Sequence, residues 1–201
     1  LTGERYESEQ EIYRINFFYN FLEHIKKTNT PLDFFTWHSY ATVEQTGIMA
    51  DFFARELENY GYGDVEIHLN EWNPSFEIEK RGSSYAASLV MAMILMMQDK
   101  PVDMLCYYDA RIGQSYYGGL FNPLTYKPLC AYYTLYSFGR ALQAGSQVKC
   151  ELFSDELYAV AATGGEDKIL MISNPTDKEV EVQTNLSQDM NVFLIDQDNF
   201  F

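Results

Sequence analysis

Short aromatic-rich extended runs alternate with helical stretches from Ser8 to Leu142, and this alternation limits the fold more than any other feature. From Ser8 to Lys27 the residues Ile12, Ile15, Phe18, Tyr19, Leu22 and Ile25 recur at spacings of three and four, which predicts an amphipathic helix closed by Thr28 to Pro31. Leu32 to Tyr40 is short and dense in aromatics, as a strand is. Helical spacing returns from Thr42 to Tyr60, with Gly61 and Gly63 as a stop. Val65 to Trp72 predicts a second strand, Asn73 to Gly82 a polar loop, and Ser83 to Gln98 a helix so apolar that it must be buried on more than one face. Val102 to Tyr108 predicts a third strand. A Gly- and Tyr-rich loop runs to Pro123, and Lys127 to Leu142 predicts a last helix with Pro128 in its first turn. Strands parted by helices of this length indicate parallel βαβ units.

After Gly145 the texture changes. The segments Gln147 to Phe153, Leu157 to Ala162, Lys168 to Ser173, Glu179 to Thr184 and Asn191 to Ile195 alternate and are parted by GGED and NPTD turns, which predicts an antiparallel meander or sandwich segment. The expected organisation is an α/β unit over 1–145 followed by a β unit over 146–201. A complete (β/α)₈ barrel takes roughly 250 residues, and three parallel strands alone leave open edges and an uncovered face. The expectation is therefore a partial barrel, completed by a missing half barrel or by neighbours in a homo-oligomer.

The net charge of −15 argues against sequence-independent nucleic-acid binding and against anionic membrane surfaces, both of which need Lys and Arg. Ala86 to Met97, the most apolar run, is about 12 residues long against the roughly 20 that span a bilayer. Cys106, Cys130 and Cys150 are an odd set at wide spacing, with no CxxC and no histidine pair, so they read as buried thiols of a reducing compartment, not as a metal site. The chain starts at Leu1 without a basic-then-apolar leader, and secretion is left open.

Functional residues of parallel α/β folds gather at the carboxyl ends of strands. Those ends carry Trp37, His38, Ser39 and Tyr40 on the first strand, Asn70, Glu71 and Trp72 on the second, and Tyr107, Tyr108, Asp109 and Arg111 on the third. Acids, a histidine and large aromatics on one rim suit a carbohydrate, whose C–H faces lie on aromatic rings while its hydroxyls take charged partners.

PLDFFTWHSYA, IHLNEWNPS, PVDMLCYYDAR and GLFNPLTYKPLCAYYTLYSFGRAL together resemble the C-terminal half of a retaining (β/α)₈ glycoside hydrolase. The closest resemblance is to glycoside hydrolase family 39, the β-xylosidase and α-L-iduronidase group. It covers roughly residues 8 to 145, and the meander resembles the β-sandwich appended to such barrels. The resemblance makes the three strands the sixth, seventh and eighth of a barrel. It implies Glu71, in Asn70-Glu71-Trp72, as the catalytic nucleophile acting on a β-xyloside or related glycan. His38, Tyr40, Asn70, Trp72, Tyr108 and Asp109 would line the sugar site, with no metal and no cofactor.

The family's acid/base lies in an Asn-Glu-Pro motif on the fourth strand, and NEP does not occur in these 201 residues. Either another segment or chain supplies it, or this chain is a catalytically silent binding or interaction module. Three local questions stay open. Strict alternation puts Glu71 on the face of Val65, Ile67 and Leu69, unless a bulge turns it. Asp109 could serve a substrate hydroxyl or pair with Arg111, and Tyr107, Tyr108, Tyr116 and Tyr117 divide between core and cleft in no order that the sequence reveals.

Overall fold

Period-3.6 and period-2 stretches resolve into four α-helices and six strands, with one 3₁₀ turn at Ile78–Lys80, among the described residues, which are 9–74, 77–113, 117–164, 167–186 and 190–199 of the computed structural model. In chain order they are α1 (Glu9–Thr28), β1 (Phe34–Ser39), α2 (Val43–Tyr60), β2 (Glu66–Trp72), α3 (Ser84–Met97), β3 (Met104–Tyr107), α4 (Cys130–Gln143), β4 (Ser146–Val148), β5 (Tyr158–Gly164) and β6 (Asp167–Ser173). β1, β2 and β3 form a parallel sheet in that order; β4, β5 and β6 form an antiparallel one.

Capping chemistry sets the ends of α2. Thr42 accepts from the Gln45 backbone N–H while the Gln45 side chain accepts from the Thr42 N–H, a complete capping box. Gly61 ends the helix at φ +89°, with its N–H on Glu58 and that of Tyr62 on Leu57. The helix side of the parallel sheet is the core. Phe18, Leu22 and Ile25 of α1, Trp37 of β1, Phe52 and Leu57 of α2, Ile67 and Leu69 of β2, and Val90, Met93 and Met97 of α3 form one buried cluster. Phe18, Phe35, Trp37, Phe52 and Phe53 meet there at centroid distances of 5.1–5.9 Å.

The uniform apolarity of α3 has its reason in a second contact. Met91 and Leu95 pack against Val160, with Phe138, Tyr158 and Met171 around them, so the antiparallel sheet rests on the helix face turned away from the parallel one. Ser173 Oγ donates to the Ser88 carbonyl at 2.7 Å across this junction. Where α4 turns into β4, Gly145 lies at φ +127° and its missing side chain lets the backbone of Thr163 and Gly164 approach; a Cβ on Gly164 would stand 1.8 Å from the Ala144 oxygen.

Several expectations are corrected. The last helix begins at Cys130, not Lys127, because Leu120 to Asn122 pairs back on Lys127 to Leu129 and holds Pro128 in an extended bridge. The strand expected over 147–153 ends at Val148, where its pairing with β5 stops. The alternating segments 179–184 and 191–195 form no strand; Val180, Val182, Val192, Phe193 and Leu194 are exposed, and alternation without a neighbouring edge supplies no ladder. Of the three thiols, only Cys130 is buried, Cys106 is half-buried and Cys150 is exposed. No helix among the described residues is long and apolar enough to cross a membrane.

The far face of the parallel sheet carries Phe34, 52% exposed, and Met104, 48% exposed, with His68 stacked on Phe34 at 5.1 Å. This asymmetry predicts that Leu69→Ala, at a site with no exposure, lowers unfolding free energy by about 2–5 kcal/mol, while Met104→Ala costs no more than about 0.5 kcal/mol. Urea denaturation checks both, and equal losses would show that the two faces are equally packed.

Candidate functional site

Strand β2 does not keep its alternation to the end. Trp37 of β1 pairs with Leu69, but the next residue, His38, pairs with Glu71, so Asn70 is an extra residue. On the other side Leu69 pairs with Leu105 and Trp72 with Tyr107, so Asn70 and Glu71 together oppose Cys106. Such a bulge shifts every later side chain to the opposite face. Ile67 and Leu69 stay in the core, Glu71 leaves their face, and Trp72 takes the core position.

Glu71 thereby meets the end of β1. Tyr40 Oη donates to Glu71 Oε1 at 2.5 Å, and His38 Nδ1 lies 3.6 Å from the same oxygen. The Glu71 side chain is 30% exposed and that of His38 is 54% exposed, so both can be reached from solvent. Tyr117, from the loop after β3, packs on Tyr40 at 4.9 Å and on Tyr108 at 5.3 Å, and the Arg81 guanidinium lies over the Tyr117 ring at 5.3 Å. Burial, the bond to Glu71 and its negative charge all push the Tyr40 phenol well above the usual tyrosine range.

Of the residues expected at the rim, His38, Tyr40 and Glu71 come together, and Tyr108 joins them through Tyr117. Asn70 is exposed at the bulge. Trp72 is a correction: the same bulge that releases Glu71 buries the indole to 1% exposure, edge-on against Tyr107, so it presents no ring face to a ligand. Asp109 is 8% exposed and accepts from the Arg111 backbone at 3.2 Å, with the guanidinium at 3.5 Å, which favours the pairing with Arg111 over a free acceptor. Tyr107 joins the core and Tyr108 and Tyr117 the rim, while Tyr116 lies outside the described residues.

Asn73 was legible only as part of a polar loop before Pro74. It is 1% exposed, its N–H donates to Ser39, and its Nδ2 donates to the carbonyls of Tyr108 and Tyr117. An Asn-Pro pair after a strand signals a turn, and only the fold shows what the amide meets. Two surface depressions lie away from this rim: one of 410 Å³ beside Lys26, Thr30 and Tyr60, and one of 470 Å³ beside Gln98, Gln147 and Val160. Among the described residues no group of three or more His, Cys, Asp or Glu could hold a metal ion.

The tyrosines give a pH dependence with a definite sign. Burial pushes Tyr107 up to about 12, against an opposing bond from Asn73, and Tyr40 is raised further. Tyr158 is raised too, by burial and its hydrogen bond to Glu44. Each group loses its proton in the unfolded chain near pH 10 and keeps it in the folded one, so the unfolded state binds fewer protons and stability falls as pH rises. Denaturation midpoints should hold below pH 10 and decline between about pH 10 and 12; a flat profile across that window would contradict these environments.

No protein-family model matches the chain, and no curated protein matches it in sequence. Its fold does match solved glycosidases. The similarity to a glucosidase from Croceicoccus marinus has a TM-score of 0.63 at 22% identity, covering 78% of this chain and 36% of that one. A monomeric β-xylosidase from Caulobacter crescentus CB15 matches with a TM-score of 0.54 at 17% identity, over 71% of this chain and 35% of that one. A GH39 β-xylosidase structure from Caulobacter crescentus gives 0.53 at 18% identity, over 71% and 34%. The chain thus shares its fold with part of these glycosidases and spans about a third of their length.

Proposed function

We propose that the chain forms one sector of a retaining glycoside hydrolase of the family 39 type, in which Glu71 is the nucleophile. The observation that carries this reading is the placement of the Glu71 carboxylate on Tyr40 and beside His38, at the carboxyl ends of parallel strands. The Glu71 carboxylate would attack the anomeric carbon, the glycosidic C–O bond would break with its electron pair on the departing oxygen, and water would later hydrolyse the glycosyl ester. Tyr40 holds one carboxylate oxygen and leaves the other for attack. His38 and Tyr108 would contact the sugar, and β-xylosides or related glycans are the substrate class that the resemblance and the matched structures support.

In this proposal the parallel sheet is a sector of a (β/α)₈ barrel, with the boundary to a sandwich segment near Gly145. Polypeptide covering the exposed Phe34 and Met104 face, from another segment or a second copy, would supply the acid/base. A second reading is favoured by one observation: among the described residues the rim offers a single available carboxylate, since Asp109 is held by Arg111. On that reading the chain binds saccharide without turnover.

A 2,4-dinitrophenyl 2-deoxy-2-fluoro-β-xyloside separates the two, because its leaving group departs without a proton and the fluorine slows hydrolysis of the ester. Mass spectrometry should find one added fluoroglycosyl unit on the peptide containing Glu71, and none on Glu71→Gln. Saccharide binding without labelling would favour the silent module; neither binding nor labelling would overturn both readings.

A further inference from the structure

We propose that Asn73 is a positioning residue for the Tyr40–Glu71 pair, acting by tying the ends of all three parallel strands and the loop after β3 into one rim. The proposal rests on the reading of Glu71 as nucleophile and adds a residue that the reading does not contain. Asn73 follows β2 directly. Its backbone N–H reaches the Ser39 carbonyl at the end of β1, at 3.3 Å. Its carboxamide Nδ2 lies 2.9 Å from the Tyr108 carbonyl, just past β3, and 2.9 Å from the Tyr117 carbonyl, with Tyr107 Oη third at 3.2 Å. Two amide protons thus meet two carbonyls, and the more distant Tyr107 hydroxyl is the lesser contact.

These bonds set where the rings of Tyr108 and Tyr117 stand. Tyr117 in turn covers Tyr40, whose hydroxyl is on Glu71. At 1% exposure the amide is shielded from water, so removing it takes a buried donor from two carbonyls and loosens the loop. An aspartate could not substitute, because a carboxylate would face those carbonyl oxygens without a proton to give.

The groups facing Tyr40 are Glu71 from β2 and Tyr117 and Tyr108 from beyond β3, with His38 Nδ1 3.6 Å from the Glu71 oxygen that Tyr40 bonds and Arg81 over Tyr117. Loss of the Asn73 bonds would expose Tyr40 and loosen its bond to Glu71, a change that mere loss of stability would not produce in the folded protein.

The test is the ¹³Cζ signal of Tyr40 at neutral pH in the full chain carrying [¹³Cζ]tyrosine, assigned through Tyr40→Phe and read with and without Glu71→Gln. In folded Asn73→Ala the change that Glu71→Gln causes at Tyr40 should fall to about half or less of its size in the unmodified chain. In Tyr107→Phe, which keeps both carbonyl bonds, it should keep its full size. An undiminished response of Tyr40 to Glu71→Gln in folded Asn73→Ala overturns the proposal. If that variant does not fold, the unmodified chain decides: the Asn73 carboxamide protons should exchange with water at least about tenfold more slowly than those of exposed Asn70, and equal rates overturn it. Because none of this needs turnover, a coupled Tyr40 in a chain that the fluoroglycoside fails to label refutes the nucleophile and leaves the tie standing. A labelled chain indifferent to Asn73→Ala refutes the tie alone.

Discussion

One additional residue in one strand determines what this rim can do. Without Asn70 as an extra member of the ladder, Glu71 would continue the face of Ile67 and Leu69 and be driven into an aromatic core as an uncompensated charge. With it, the carboxylate emerges beside His38 under the hydroxyl of Tyr40, and the indole of Trp72 fills the core position beside Tyr107. The exchange of places is a single event: the geometry that frees the acid also buries the tryptophan. Strand pairing on both sides holds it, since His38 and Cys106 each meet the bulged pair.

The rest of the fold gives that bulge a rigid support. The aromatic cluster of Phe18, Phe35, Trp37, Phe52 and Phe53 packs α1 and α2 onto the sheet from one side. Helix α3 carries the load between layers, contributing Met93 and Met97 to that core and Met91 and Leu95 to the antiparallel sheet. At the end of the sheet where the strands finish, Tyr158 of β5 donates to Glu44 in the first turn of α2, which joins the second sheet to the helix that follows Tyr40. That bond, with the Thr42 hydrogen bond and the local backbone, holds the Glu44 carboxyl below the usual glutamate range against the opposing effect of burial.

The order of helices and strands was legible because each period was sustained over a full element, and α3 announced its two-sided burial by having no polar face. The NEW tripeptide and the aromatic residues around it lie where the parallel strands end, although Trp37 and Trp72 turn into the core and away from the rim. What the sequence could not contain was the consequence of register. Strict alternation kept Glu71 with Ile67 and Leu69 unless a bulge turned it, and by the same rule put Trp72 on the opposite face; an unpaired residue is a property of two strands together. The edge segments 179–184 and 191–195 failed for a related reason, since their alternation encodes a willingness to pair and says nothing of a partner. Asn73 was hidden in the same way, because an asparagine before proline looks like turn chemistry until the carbonyls of Tyr108 and Tyr117 are seen around its amide.

The central claim is that the bulge brings Tyr40 and Glu71 into direct contact, and a double-mutant cycle on folding stability measures that contact alone. Tyr40→Phe, Glu71→Ala and the double variant, compared by urea denaturation near neutral pH, should show a coupling of about 1 kcal/mol or more, as a charged hydrogen bond requires. Losses that add to within about 0.3 kcal/mol would mean that the two side chains do not meet, and that Glu71 is not where the bulge puts it.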